Sequence, residues 1–413
     1  MQTFTGWQYL LIDVANQYGL DKETFDNRII WTTKNLADLE VLAKAKNWKE
    51  KPLYLASVMA LREAQQGRST GHLIGFDAVC SGMQIMSALT GCEKGAKATG
   101  LIDTGERPDA YAYVTDTMSQ MLGKSLPQGR SMAKEATMTC LYGSKKEPEN
   151  IFGKDTEELN VFYKALYAVA PGACHLLDAL INSWNSFAPI HQWILPDGFN
   201  ARCKVYVQQK KRIEVDELGH SRFEYIYYEN EGEERGLKNA ANVVHSIDAY
   251  ILRSLIRRCN YDADIACIAV SSITQEMLQR STDKDVGQSI VPEVQKYIDL
   301  YTTTGMADIS ILEHLTINDF ADLSSNHLRA LNTVLNTMLT HHSFPIVTIH
   351  DDFKCHPNNM NQLRFHYKNI LSELANSTLI DAILSDLAGY KKEIPKLSHL
   401  LAQKIEKSNY ALS

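Results

Sequence analysis

None of the eight cysteines forms a Cys-x-x-Cys pair, which argues against a zinc site and suits reduced thiols in a cytoplasm. No stretch approaches the roughly 18 consecutive apolar residues of a membrane-spanning helix. The opening residues, MQTFTGWQYLLIDVANQYGLDKETF, carry acidic side chains and only a short apolar run, so they do not read as a signal peptide. Internal repeats, low-complexity tracts, and zinc-finger or helix-turn-helix signatures are also missing. Positive charge is not in excess either: 42 Lys and Arg face 49 Asp and Glu, a net charge of −7. A uniform coating of nucleic acid is thereby excluded, and any such contact must use local basic patches. What is present is ordinary. With 45% hydrophobic and 22% charged residues over 413 positions, the chain can pack two or three domains' worth of core.

Along the chain, residues 1–70 read as helices, with Leu10, Leu11, Val14, Ala15 and then Leu36, Leu39, Val41, Leu42 at helical spacing. Pro52 opens a further helix over Leu53–Glu63, and residues 65–71 form a loop. His72 to Asp77 is a short apolar run ending in a carboxylate, and Ser81 with Gln84 fits a capping box for the next helix. Pro108, at the first helical position, opens an amphipathic helix closed by Gly123; Pro127-Gln128-Gly129 links it onward, and 156–187 is again helical. Residues 199–228 alternate as a hairpin around Gly219-His220, with Lys210-Lys211-Arg212 near its middle. His245-Ser246-Ile247-Asp248 precedes a helix with Ile251, Leu252, Leu255 and Ile256 inward and Arg253, Arg257 and Arg258 outward. Residues 262–340 are mostly helical with polar loops such as Ser281–Asp285. Finally, Phe344 to Ile349 reads as a buried strand, and His350-Asp351-Asp352 as a tight turn that sets Asp351 at a hairpin tip.

Arg130–Ser144 holds no Gly or Pro before Gly143 and is rich in good helix formers, so a helix is expected. Arg130 and Lys134 are then about 6 Å apart along the axis, and Tyr142 is roughly 12 Å further on the same broad face. Two cations and an aromatic ring so spaced match a nucleoside triphosphate laid along the helix, phosphates on the cations and sugar on the ring. The same residues also suit a plain helix with a core tyrosine. Lys44 and Lys46 could face phosphate or belong to a solvated helix face. Asp77 and Asp351, at the ends of strands, offer the hard oxygen ligands that Mg²⁺ prefers. With the cationic helix between them in sequence, they compose a two-metal nucleotidyl-transfer site.

These motifs carry a specific resemblance. Asp77-Ala-Val-Cys80-Ser81-Gly82-Met-Gln84, Arg130-x3-Lys134-x7-Tyr142-Gly143-Ser144 and His350-Asp351 resemble the palm and fingers motifs of single-subunit, bacteriophage-type DNA-dependent RNA polymerases. His245-Ser246-x-Asp248 looks like that family's helix before the third motif, Pro108-Asp-Ala-Tyr111 like its fingers helix, and Ser408–Ser413 like its aromatic tail. The resemblance implies an α+β right-hand polymerase, mostly helical with a small antiparallel palm sheet, and with the N-terminal domain and most of the thumb absent. Its parts would be a helical palm-associated segment (1–70), palm (71–107), fingers (108–190), palm hairpin and His245 helix (191–261), helical insertion (262–340), and palm with C-terminal helices and tail (341–413). By the same resemblance, Asp77, Asp351 and the Ala78 carbonyl bind two Mg²⁺ ions, and Arg130 and Lys134 hold the triphosphate. Lys134 also protonates pyrophosphate, Tyr142 screens ribose against deoxyribose, and Tyr111 and His245 line the template and nucleotide. Lys44 matches a phosphate-contacting lysine only loosely.

The sequence departs from that family in residues 262–340, which have no counterpart, and in Asp352, which stands where a small polar residue is usual and either tunes the metal site or faces solvent, the latter being the preferred expectation. In its size and in what it lacks, the chain resembles the larger chain of two-chain phage middle-gene RNA polymerases. The implied partners are therefore a DNA template, nascent RNA, ribonucleoside triphosphates, a second polymerase subunit and a separate promoter-recruiting or single-stranded-DNA factor. No membrane is implied, and the setting would be a host cytoplasm. A related DNA polymerase is the alternative that lacks support in the first motif, which has no glutamate gate; an inactive nucleic-acid-binding module is the other.

Overall fold

Two short alternating segments, far apart in sequence, make the sheet around which the helices gather. In the computed structural model the described residues are 1–45, 51–126, 129–280 and 290–413. Lys46, Pro127, Gln128 and the Ser281–Asp285 loop lie outside them. The first helices are α1 (Gly6–Ala15), α2 (Phe25–Lys34), α3 (Leu39–Ala45) and α4 (Lys51–Gln65). Leu10, Leu11, Val14 and Ala15 are buried as their spacing predicts. Val41 is not: it is 61% exposed, because α3 packs through Leu39 and Ala43 instead.

Strand β1 (Ile74–Asp77) leads into α5 (Ser81–Thr90) and α6 (Glu93–Ala98). A helical layer follows: α7 (Ala110–Leu122), α8 (Gly129–Leu141), α9 (Lys146–Phe152), α10 (Glu157–Val169) and α11 (Pro171–Ile181). Pro108 stands outside α7, because Asp109 is its N-cap, accepting from the Tyr111 and Ala112 amides at 3.1 and 3.2 Å. The expected helix to Ser144 stops at Leu141. Gly143 takes φ 93°, and the Gly143 and Ser144 amides turn back to Cys140 O and Thr139 O, so Tyr142 sits in the turn.

The expected single hairpin at 199–228 is two. β2 (Ile190–Ile194) pairs with β3 (Asn200–Lys204), and after buried Val205 the exposed pair β4 (Tyr206–Val215) and β5 (Ser221–Asn230) runs on. Helix α12 (Lys238–Cys259) begins well before the expected start and already contains His245 and Asp248. Of its three arginines, Arg258 points inward. It is 1% exposed and makes a two-pronged pair with Glu373 at 2.7 and 2.6 Å, since a buried guanidinium needs a carboxylate. Arg253 and Arg257 share Asp197, and Arg257 also reaches Asp308.

Helices α13 (Ala263–Gln279), α14 (Pro292–Thr304) and α15 (Ser325–Met338) bury their apolar faces in a second hydrophobic cluster drawn only from residues 266–338. The chain then returns as β6 (Val347–Ile349) and β7 (Asp352–Cys355), followed by α16 (Met360–Asn376), α17 (Leu379–Ala388) and α18 (Leu401–Ile405). The antiparallel order is β1-β7-β6. β7 is central and buried; β6 is the edge strand, not a buried one, with Val347 and Ile349 46% and 54% exposed. The chain is thus mostly helical with small antiparallel sheets.

On α15 of this second unit of packing, His327 is buried, stacked on Tyr301 at 4.2 Å, and pushed down by burial to a pKa of about 4. The unfolded chain would take up this proton near pH 6.5 and the folded chain only near 4. Its contribution to stability is therefore complete above 6.5 and lost as pH falls toward 4. Urea unfolding at pH 7 and pH 4.5 should differ by about 2 kcal/mol more in the unsubstituted chain than in His327→Phe; equal differences would remove His327 as the source.

Candidate functional site

Register sets the site. Asp77 lies opposite Asp352, and Phe76 opposite Phe353; Ile74, Phe76, Phe353 and Cys355 face the core, which leaves Asp77 and Asp352 on the other face of the sheet. Phe76 is pinned by Phe25 and Tyr9, with ring centres 5.5 and 5.9 Å away. Just past β1, the Ala78 amide donates to Asp351 O at 3.2 Å. This brings the β6–β7 turn, where His350 adopts φ 55°, against the end of β1.

Cys80, also left-handed at φ 53°, occupies the N-cap position of α5 with no side-chain cap. The Ser81–Gln84 capping box is therefore not formed, because Gln84 is drawn into the core. Its amide donates to Thr99 O and Ala411 O, both at 2.9 Å, and its oxygen accepts from the Tyr367 hydroxyl at 2.6 Å. Residues 408–413 are held beside Asp77 by the same network: the Ser413 amide donates to Asp77 O at 3.1 Å, Leu412 bridges Ala78, and Tyr410 stacks on Phe25.

A cleft of about 250 Å³ opens at this end of the sheet. Asp77, Ala78, Tyr111, Arg130, Lys134, Tyr142 and Asp351 all line it, so seven of the eight side chains named from sequence meet there. His245, the eighth, stands behind, its ring 4.6 Å from that of Tyr142. Lys44 is exposed on α3 and is not part of the lining. Tyr142 lies over Gly82, where a Cβ would come within 3.0 Å of its hydroxyl. Arg130 and Lys134 both reach toward the Tyr111 ring, at 5.8 and 5.9 Å.

The walls are electrostatically opposed. Partial burial, then Asp351 and Asp352, push the Asp77 carboxyl up to about 6. Asp248, one helical turn beyond His245, is likewise pushed up to about 6 by burial and Asp351. Burial raises the Tyr142 phenol to about 12 and also raises Tyr111, which is hydrogen-bonded to Cys80. Such crowding of carboxylates is relieved by a cation. Asp352 does not simply face solvent. It is half-buried beside Gly75, where a Cβ would come within 2.5 Å of it, and pairs with Lys354 at 3.1 Å.

Sequence reasoning missed four lining or neighbouring groups. Asp109 holds Arg130 at 2.6 Å; its signal was the preference for Asp just ahead of a helix. Asp248 was visible as His245's i+3 neighbour. Lys22 and Arg107 also line the cleft, from loops without a pattern that marks them. Among the described residues, the one group of three possible metal ligands within 4.8 Å is Glu214, Asp216 and His220. It is an exposed ion-pair cluster shared with Arg222, and none of it lines the cleft.

An acidic sheet edge facing a cationic helix is chemically equipped to hold divalent metal beside a polyphosphate. Residues 2–146 match the family model described as DNA-dependent RNA polymerase. The chain is 28% identical over 172 residues to the DNA-directed RNA polymerase of Pseudomonas phage phiKMV, covering 34% of this chain and 21% of that protein. It is 28% identical over 158 residues to a probable DNA-directed RNA polymerase of Neurospora crassa, covering 34% of this chain and 18% of the relative. The matched part thus spans about a fifth of either relative. The family match includes Asp77, Arg130, Lys134 and Tyr142 and ends before His245 and Asp351.

Replacing Gln84 by Leu should cost about 2–4 kcal/mol in urea unfolding, because the buried Tyr367 hydroxyl and two carbonyls lose their partner. Amide exchange at 411–413 should quicken with it; unchanged exchange there would detach Gln84 from the tail.

Proposed function

We propose that this chain carries the catalytic centre of a DNA-directed RNA polymerase, making RNA on a DNA template by nucleotidyl transfer. One observation carries the reading: three segments remote in sequence deliver Asp77, Arg130 with Lys134, and Asp351 to one cleft, in the chemical order that a polymerase needs. The β1-β7-β6 sheet is read as the palm, the α7–α11 layer as the fingers, and residues 262–340 as an insertion with its own core.

Asp77 and Asp351, with the Ala78 carbonyl, fit Mg²⁺ by their hard oxygens, and burial with the neighbouring Asp351 raises the Asp77 carboxyl as an uncompensated anionic site would. Two ions bound there would supply activation of the primer 3′-hydroxyl and neutralise charge on the leaving pyrophosphate. Arg130 and Lys134 bind the triphosphate, Arg130 exchanging its Asp109 partner for phosphate oxygens. Lys134 donates a proton to the departing pyrophosphate. Tyr142, buttressed by His245 and seated over Gly82, closes the sugar side of the pocket and discriminates ribose from deoxyribose. Tyr111 and His245 flank the nucleotide and template. In this reading a second chain supplies upstream DNA and RNA contacts, and a separate factor recruits the promoter.

On a primed RNA:DNA scaffold, ribonucleotides should be incorporated in preference to deoxyribonucleotides. Asp351→Asn should lower the rate by on the order of 10³-fold or more while leaving scaffold binding intact. Undiminished synthesis by Asp351→Asn would overturn the metal assignment, and Tyr142→Phe should narrow the sugar preference. If the chain alone elongates as fast as any complex co-purified with it, the second chain is not required.

A further inference from the structure

Arg107 occupies the short loop between α6 and α7, immediately before the Pro108-Asp109 cap, and its side chain lines the cleft with Asp77, Arg130 and Lys134. Its state differs from that of the other cations there. Arg130 is already paired with Asp109 at 2.6 Å, and Lys22 with Asp21 at 2.8 Å. Arg107 makes one hydrogen bond among the described residues, from Nη1 to Pro108 O at 3.2 Å, and its Nε is shielded from solvent without any partner. Asp21, Asp109 and Asp77 act on it electrostatically without pairing, while burial disfavours its charge. A guanidinium can offer five donors in a planar fork, and a half-buried one left with a single protein acceptor is poised for an anionic ligand.

We propose that Arg107 is a substrate-binding residue of this cleft, taking oxygens of the incoming triphosphate. The inference rests on the polymerase reading of the cleft and adds to it a cation that the motifs did not mark. Arg107 and Lys134 then act as two uncommitted cations present before substrate arrives, with Arg130 joining once Asp109 releases it. The divided arrangement suits a polyphosphate better than a single phosphate, because the cations come from separate segments and reach different oxygens.

Calorimetry on the full chain, with inorganic tripolyphosphate and with inorganic phosphate as probes, tests this. Tripolyphosphate should bind more tightly than phosphate. Arg107→Gln should weaken it about ten-fold, Arg107→Lys less, and Lys134→Ala comparably to Arg107→Gln. Urea unfolding midpoints of the two Arg107 variants should stay close to that of the unsubstituted chain, which separates lost binding from lost folding. In nucleotide incorporation, Arg107→Gln should raise KM more than it lowers kcat. If Lys134→Ala loses tripolyphosphate and Arg107→Gln does not, Arg107 is structural and the polymerase reading stands. If the unsubstituted chain takes up no tripolyphosphate, both fall together.

Discussion

The pairing of β1 with β7 is the constraint on which the candidate site depends. It is four residue pairs long, yet it joins residues 74–77 to residues 352–355 and fixes both carboxylate-bearing ends at one place. The apolar side supplies the free energy: Phe76, Phe353 and their neighbours are buried against Phe25, Tyr9 and Tyr367. The polar side receives the geometry, since a strand with alternate residues in the core must present the others outward. A slip of one residue would bury Asp77 and expose Phe76, so packing and chemistry enforce the same register.

Around that sheet edge the molecule keeps like charges close and opposite charges waiting. Burial and the nearby Asp351 carboxylate raise the proton affinity of Asp77, Asp248 and Asp352, while Arg130 is occupied by Asp109. Asp109 serves twice, closing the first turn of α7 and tethering α8. A polyanion entering the cleft therefore competes with a carboxylate already in place, which favours ligands of high charge over singly charged ones.

Much of this was legible in the residues, because the informative signals are local. The end of a short apolar run predicted Asp77 at a strand terminus, and helix-forming composition predicted α8. The failures share a cause: they needed knowledge of what lies across the fold. Ser81 and Gln84 have capping-box spacing, but Gln84 is claimed by Thr99, Ala411 and Tyr367 from other segments. Val347 and Ile349 look like core residues, yet among the described residues no strand pairs with the outer edge of β6. Arg258 has the spacing of a surface arginine and is internal because Glu373 meets it from α16. Arg107 is a lone cation in a loop, and only the cleft distinguishes it.

Two of the four non-glycine residues with positive φ among those described are Cys80 and His350, three residues after Asp77 and one before Asp351. A side chain in that conformation costs about 1–2 kcal/mol, and glycine would avoid the steric part of it. Glycine would also free the backbone beside each carboxylate. The present residues instead leave each turn one narrow basin, so the spacing of the acidic pair is fixed before any ligand arrives. The cleft is accordingly a place where selection for greater heat resistance and selection for a preset ligand geometry would pull the same two positions in opposite directions.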